Sequence, residues 1–203
     1  MLNKVIKFPI LAEHSADQIV VYQAFNEAIG KPAAAAGTLD VPAFSKTRMT
    51  WIKPSFLWMM ERSGWASKPG QERVLSIMIT RQGWEEALAN AVLTAPSQGQ
   101  SIEEWREALE SSPIRVQWDP ERTLKGGKAE QRSIQVGISR DWSRTYTGVW
   151  IKAIADITPL VAELDIKRKA GDWAGAEQLL PKERPYPLPP ELMKRIGCVV
   201  TDD

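Results

Sequence analysis

Residues 114–139, IRVQWDPERTLKGGKAEQRSIQVGIS, read as a β-hairpin. Ile114 to Trp118 and Arg132 to Ser139 carry β-branched residues and alternate in polarity, as strands with one buried face do. Asp119 to Gln131, with Gly126-Gly127, reads as a long tip between them. Strands this close in sequence pair antiparallel. On the first strand Arg115, Gln117 and Asp119 share one face, and Val116 and Trp118 share the other. One face therefore suits packing, and the other suits the wall of a polar pocket.

Working outward, Arg73 to Thr80 (RVLSIMIT) is the clearest buried strand, and Gln18 to Tyr22 is a shorter one. Lys4 to Leu11 can form an early strand. Lys31 to Gly37 (KPAAAAG) is small and reads as flexible. Arg48 to Ile52 reads as a strand. Pro54 fits the first turn of a helix that stops near Gly64. Trp84 to Leu93 reads as a helix. Ser101-Ile-Glu-Glu104 is a capping box that opens another. Trp142 to Ile154 has apolar residues at helical spacing and reads as one helix. Thr158-Pro159 and Asp172 are placed to cap two more.

Residues 181–190 hold five prolines and form an extended connector. A short helix and a strand follow. The fold class expected is α+β: one compact domain over residues 1–180, mostly antiparallel sheet with packed helices. C-terminal helices close it, and a proline-rich arm, residues 181–203, packs on it.

The 203 residues carry a formal net charge of +1, so no global field draws nucleic acid or an anionic membrane. The single cysteine, Cys198, excludes an internal disulfide. No stretch approaches the roughly 18 apolar residues of a membrane helix. The N-terminal segment lacks a clear signal-peptide cleavage site. The expected location is cytoplasmic, with no membrane partner.

His14 is the one histidine, so cysteine–histidine and serine–histidine–aspartate nucleophiles would have to use it. No metal site is expected. Neither a Rossmann glycine fingerprint nor a P-loop is present. Chemistry here must rest on carboxylates, arginine, lysine, tyrosine, amides or hydroxyls.

The segment Arg48-Met-Thr-Trp-Ile-Lys-Pro-Ser-Phe-Leu-Trp-Met-Met-Glu-Arg-Ser-Gly-Trp65 concentrates charge and indoles. From Lys46 to Arg73 there are six basic residues and two acidic ones. Trp58, Arg62 and Trp65 at i, i+4 and i+7 share a helix face, and Phe56, Met59 and Met60 take another. A packed helix needs one apolar face, so the second aromatic face suits a ligand wall. The expected binding residues are Tyr22, Gln23, Arg48, Trp51, Lys53, Trp58, Arg62, Trp65, Arg115, Gln117 and Arg132. Glu121 or Asp119 would supply a catalytic carboxylate.

Three blocks carry a family resemblance: VVYQAFNEAI from Val20, TRMTWIKPSFLWMMERSGWA from Thr47, and the pair IRVQWDPER and RSIQVGI. Together they resemble the domain-of-unknown-function family numbered 4291, over roughly residues 4 to 160. The family pattern has arginine where this chain has Val20, and commonly tyrosine where it has Glu61. The resemblance implies no established activity.

Three readings follow from the residues themselves. One is an enzyme on a nucleotide-type substrate, such as an NAD-dependent ADP-ribosyltransferase. It would use a carboxylate at an oxocarbenium-like centre, indoles for the base and arginines for phosphates. NAD is the one cofactor candidate. The second is a module for RNA or single-stranded nucleic acid. The third is a protein-interaction module that uses the proline arm and exposed indoles.

Overall fold

The computed structural model describes residues 4–6, 8–97, 99–139, 141–198 and 200–202. The hairpin forms from β7 (Ile114–Arg122) and β8 (Lys128–Ile138). Its tip is shorter than expected. Pairing continues to Arg122–Lys128, and only Thr123–Gly127 turns, with Gly126 at φ 84°. A register shift between Pro120 and Arg122 absorbs the proline, which has no N–H for the ladder.

β4 (Thr50–Ile52) joins the open side of β8, and β6 (Ala91–Leu93) lies parallel on β7. This gives a four-stranded sheet in the order β4-β8-β7-β6. A second, antiparallel sheet has β5 (Arg73–Thr80) between β3 (Gln18–Phe25) and β9 (Ile151–Asp156). The protein is thus α+β with largely antiparallel pairing, as the hairpin implied.

The inner faces of the two sheets make the main core. Ile19, Val21, Ile77 and Ile79 meet Ile52, Val116, Val136 and Ile138 there. Helix α1 (Glu27–Ala36) packs on the three-stranded sheet, and α3 (Arg81–Ala89) inserts Trp84. Each large apolar side chain buried this way contributes about 1.5–3 kcal/mol. A second core, with Val20, Tyr22, Phe56, Met59, Met60, Val161 and Leu164, lies beneath α2 (Phe56–Ser63), α6 (Thr158–Lys169) and α7 (Trp173–Leu179).

Several expectations are corrected. The alanine run is helical: Asn26 caps α1 through the Ile29 amide, and the helix runs through Pro32 to Gly37. Pro54 lies outside α2, whose cap is Ser55. The helix expected over 84–93 ends at Ala89, and its last residues form β6. The helix expected over 142–154 is helical only as α5 (Asp141–Thr145) and a π-helical turn, Tyr146–Trp150; the rest is β9. Thr158 does not cap. It donates to Asp156 and accepts from the Val74 amide, so it ties α6 to the sheet. Gly83 lies in the first turn of α3. A Cβ there would lie 2.4 Å from the Trp150 ring, so only glycine lets the indole seat.

Helix α4 (Ile102–Ser111) opens on the expected capping box. The early strand is two short pieces, β1 (Lys4–Ile6) and β2 (Leu11–Ala12). The C-terminal arm closes on both. β10 (Arg184–Pro185) pairs with β2, and β11 (Val200–Asp202), beyond α8 (Pro190–Arg195), pairs with β1. Tyr186, Leu188, Ile196 and Cys198 enter the main core.

Candidate functional site

The two sheets meet at a bridge between β3 and the residue after β4. The Tyr22 amide donates to the Lys53 carbonyl at 2.7 Å. A cleft of about 760 Å³ lies beside this bridge. Its walls are the end of β3, Arg48 to Lys53, the face of α2 carrying Trp58 and Arg62, and the polar face of the hairpin.

The hairpin wall is built by strand alternation. Gln117 stands opposite Gln135, and Asp119 lies two residues along the same face. The Gln117 amide donates to Asp119 Oδ1 at 2.9 Å, and the Gln135 amide donates to Oδ2 at 2.6 Å. Each carboxylate oxygen is thus oriented by a neutral donor. Trp51 lies opposite Gly137 on the next strand. A Cβ at Gly137 would stand 2.9 Å from the indole and 2.7 Å from Met49, so glycine admits Trp51 to the wall.

The side of the cleft next to β3 is closed by a buried polar chain. The Tyr146 hydroxyl donates to Gln23 Oε1 at 2.7 Å. The Gln23 amide donates to Thr50 Oγ1 at 2.6 Å and to the Trp51 carbonyl at 3.2 Å. Gln23 therefore clasps the sheets together.

Lys53 is 6% exposed. Its ammonium lies 5.0 Å from the centre of the Trp58 ring and donates to the Trp51 carbonyl at 3.2 Å. Among the described residues, no carboxylate comes within ion-pairing reach of it. Burial, reinforced by Arg62, brings its pKa down to about 7 against the opposing pull of Asp119. Arg48 and Arg62 are exposed at the mouth. Three basic side chains and one carboxylate line the cleft. A smaller pocket of about 250 Å³ continues past Trp58, Arg62 and Asp119 toward Lys68 and Arg122.

Of the expected residues, Gln23, Arg48, Trp51, Lys53, Trp58, Arg62, Gln117 and Asp119 line this cleft. Tyr22 does not: it is buried in the second core, edge-on to Phe56. Trp65 does not share the face of Trp58 and Arg62. Gly64 ends α2 in the left-handed conformation and Trp65 follows at φ 56°, which breaks the helical spacing. Its indole packs beneath Arg168 at 4.7 Å. Arg115 donates to the Leu109 carbonyl, closing the end of α4. Arg132 donates to the Trp118 carbonyl and lies over Phe8.

Glu121 lies outside the cleft. The register shift after Pro120 takes it off the Asp119 face, and it accepts from the Ser55 hydroxyl at 2.9 Å. Beside it Glu183, from the arm, accepts from the Phe56 amide at 2.6 Å. Burial and the nearby Glu121 and Glu13 carboxylates push the Glu183 carboxyl up to about 8, against the pull of that amide. Val20 points into the second core.

Gln135, Thr50 and Tyr146 are not among the residues expected from the sequence to form the site. Alternation about Gly137 would have put Gln135 on the polar face. Nothing local marks Tyr146, which comes from 123 residues away along the chain. The described residues hold no cluster suited to a metal ion, and no helix among them is long and apolar enough to cross a membrane.

These features define an α+β domain with a basic, indole-lined cleft where two sheets meet. The chain belongs to the family described as Domain of unknown function (DUF4291), whose model matches residues 9–186. No curated protein matches the chain.

Proposed function

We propose that the chain is an enzyme acting on a nucleotide-type substrate, with ADP-ribosyl transfer from NAD as the reaction. The observation that carries the reading is the convergence in one cleft of Trp51 and Trp58, three basic side chains and one oriented carboxylate, Asp119. Indoles hold a base by stacking, and Arg48, Lys53 and Arg62 suit a diphosphate. In the reaction the bond between ribose C1′ and the nicotinamide nitrogen breaks, and the electron pair leaves on that nitrogen. An acceptor lone pair then forms the new bond to C1′, and the acceptor's proton is released to solvent. The Asp119 carboxylate would stabilise the positive charge that develops between these events. Glu121 takes no part in this scheme because it faces Ser55.

The test is incubation of the full chain with labelled NAD, alone and with protein and nucleic-acid acceptors. Transfer of label and a raised thermal midpoint are expected. No transfer and an unmoved midpoint would overturn the reading.

A second reading, binding of single-stranded RNA, is favoured by the continuation of the cleft past Trp58 to Lys68 and Arg122. It predicts affinity that falls steeply with salt, and salt-independent or absent binding would remove it.

A further inference from the structure

We propose that Lys53 Nζ and the Arg62 guanidinium form the seat for a phosphate group of the ligand, on the floor of the cleft beside Trp58. The inference deepens the nucleotide reading and rests on it for the ligand class.

The geometry is that of a cation awaiting its partner. Lys53 is almost wholly buried, yet its ammonium has the Trp51 carbonyl as its hydrogen-bonding partner and lies against an indole face. An ammonium has three donors, so two remain for a ligand. A buried charge without a counter-ion is costly, and cores avoid it unless it is paired. The Asp119 carboxylate is engaged by Gln117 and Gln135. Arg62, from α2, acts on Lys53 as a second cation, and Arg48 is at the mouth of the same cleft. Two cations and an aromatic wall suit a tetrahedral dianion better than a neutral group.

A consequence separates this seat from an ordinary basic patch. Without ligand, burial and Arg62 leave the Lys53 amine only about half protonated near neutral pH. A bound phosphate favours the ammonium, so binding takes up a proton. The charged groups acting on the amine are Arg62 from α2 and Asp119 from β7, and Arg48, from the segment before β4, lines the same cleft. The arginines stay charged throughout. Asp119 is common to wild type and variant, which leaves Lys53 as the source of any difference between them.

The test is calorimetric titration of the full chain at pH 7 in buffers of different ionisation enthalpy. ADP-ribose and inorganic pyrophosphate serve as separate probes, and wild type is compared with Lys53→Met and Lys53→Arg. With ADP-ribose, whose diphosphate is fully ionised at neutral pH, wild type should take up roughly half a proton more than Lys53→Met, rising towards one at pH 8.5. Lys53→Met should weaken both probes at least roughly tenfold, through loss of a charge-assisted hydrogen bond. Lys53→Arg should keep the affinity and lose the extra proton. Methionine removes a buried charge and retains the volume, so the variant folds.

If pyrophosphate binds and is weakened as expected by Lys53→Met while ADP-ribose does not bind, the seat stands and the nucleotide reading falls. If ADP-ribose binds and Lys53→Met changes neither affinity nor proton uptake, the seat is overturned and the nucleotide reading stands. If neither probe binds, the seat is overturned.

Discussion

The amide of Gln23 donates to the hydroxyl of Thr50 at 2.6 Å, joining β3 to β4 where the sheets meet. Its carbonyl end accepts from Tyr146. A group that is buried and fully bonded on both ends is structural, even though it borders the cleft. Gln23→Ala leaves the Tyr146 and Thr50 hydroxyls without their partner. The expected cost is about 2–4 kcal/mol from two stranded polar groups. In a chain of this size that lowers the melting midpoint by roughly 5–12 °C. Urea unfolding of the variant checks the figure, and a loss below the error of the fit would show that the clasp does not matter.

Asp119 and Glu121 are two residues apart and have separate duties. Asp119→Asn keeps the shape, and the flanking glutamine amides can rotate to satisfy it. Stability should change by less than about 1 kcal/mol. Any transferase activity should fall roughly 100- to 1,000-fold, because the charge at the reacting centre is lost. Glu121→Ala should do the reverse. It removes the acceptor of the Ser55 hydroxyl, costs about 1–2 kcal/mol, and leaves turnover by the folded fraction little changed. Paired measurements of kcat and unfolding free energy separate the two.

The indoles divide in the same way. Trp58 faces the cleft, and Trp65 lies under Arg168 in the second core. Trp58→Ala should weaken ADP-ribose binding by roughly 10- to 100-fold, the range of one lost base–indole stack. Trp65→Ala should leave affinity unchanged and lower stability by about 2–4 kcal/mol through the cavity it opens. Equal effects of the two on affinity would contradict the placement of Trp65.

Much of the cleft was legible in the sequence because its walls are local. The hairpin face follows from alternation, and the Arg48–Trp58 run brings a strand and a helix start together. What was not legible came from competing patterns or distant partners. Trp142, Tyr146, Val149 and Trp150 keep helical spacing up to the π-helical turn. The edge strand that follows, Ile151–Asp156, is too exposed to show a strong period of two. Trp65 fits the helix face on paper, and only the left-handed Gly64–Trp65 backbone removes it. Glu121 follows the Asp119 face by alternation until the register shift at Pro120. No short window of sequence could reveal that Glu183 ends up on the Phe56 amide.

Glu183 makes stability depend on pH in a defined direction. Its folded pKa of about 8 is above the ordinary carboxylate value of 4.5. The folded protein therefore holds a proton that the unfolded chain releases. That contribution to stability is fully present below pH 4.5 and is lost as pH rises to about 8. Glu183→Gln keeps an acceptor for the Phe56 amide and cannot ionise. The variant's advantage over wild type should be smallest at pH 5 and largest at pH 8, with the gap widening between. Unfolding free energies at pH 5, 6.5 and 8 test this, and a constant difference would mean that Glu183 does not titrate in this range.

The same contact decides how far the C-terminal arm can be treated as an appendage. Glu183 seats on the start of α2, the helix that carries Trp58 and Arg62. Tyr186 accepts from Arg81 at 2.9 Å and donates to Glu85 at 2.7 Å, which fixes the arm to α3. Tyr186, Leu188, Ile196 and Cys198 are all buried in the main core. Removal of four such side chains costs several kcal/mol, at about 25 cal/mol per Å² of apolar surface exposed. That is comparable to the whole stability of a typical domain, about 5–15 kcal/mol. Truncation after Leu180 should therefore give a protein that is insoluble or lacks a cooperative melting transition. Truncation after Cys198 removes only the last strand pairing, so the melt should stay cooperative. A cooperative melt of the shorter product near the wild-type midpoint would show that the arm is dispensable to the core.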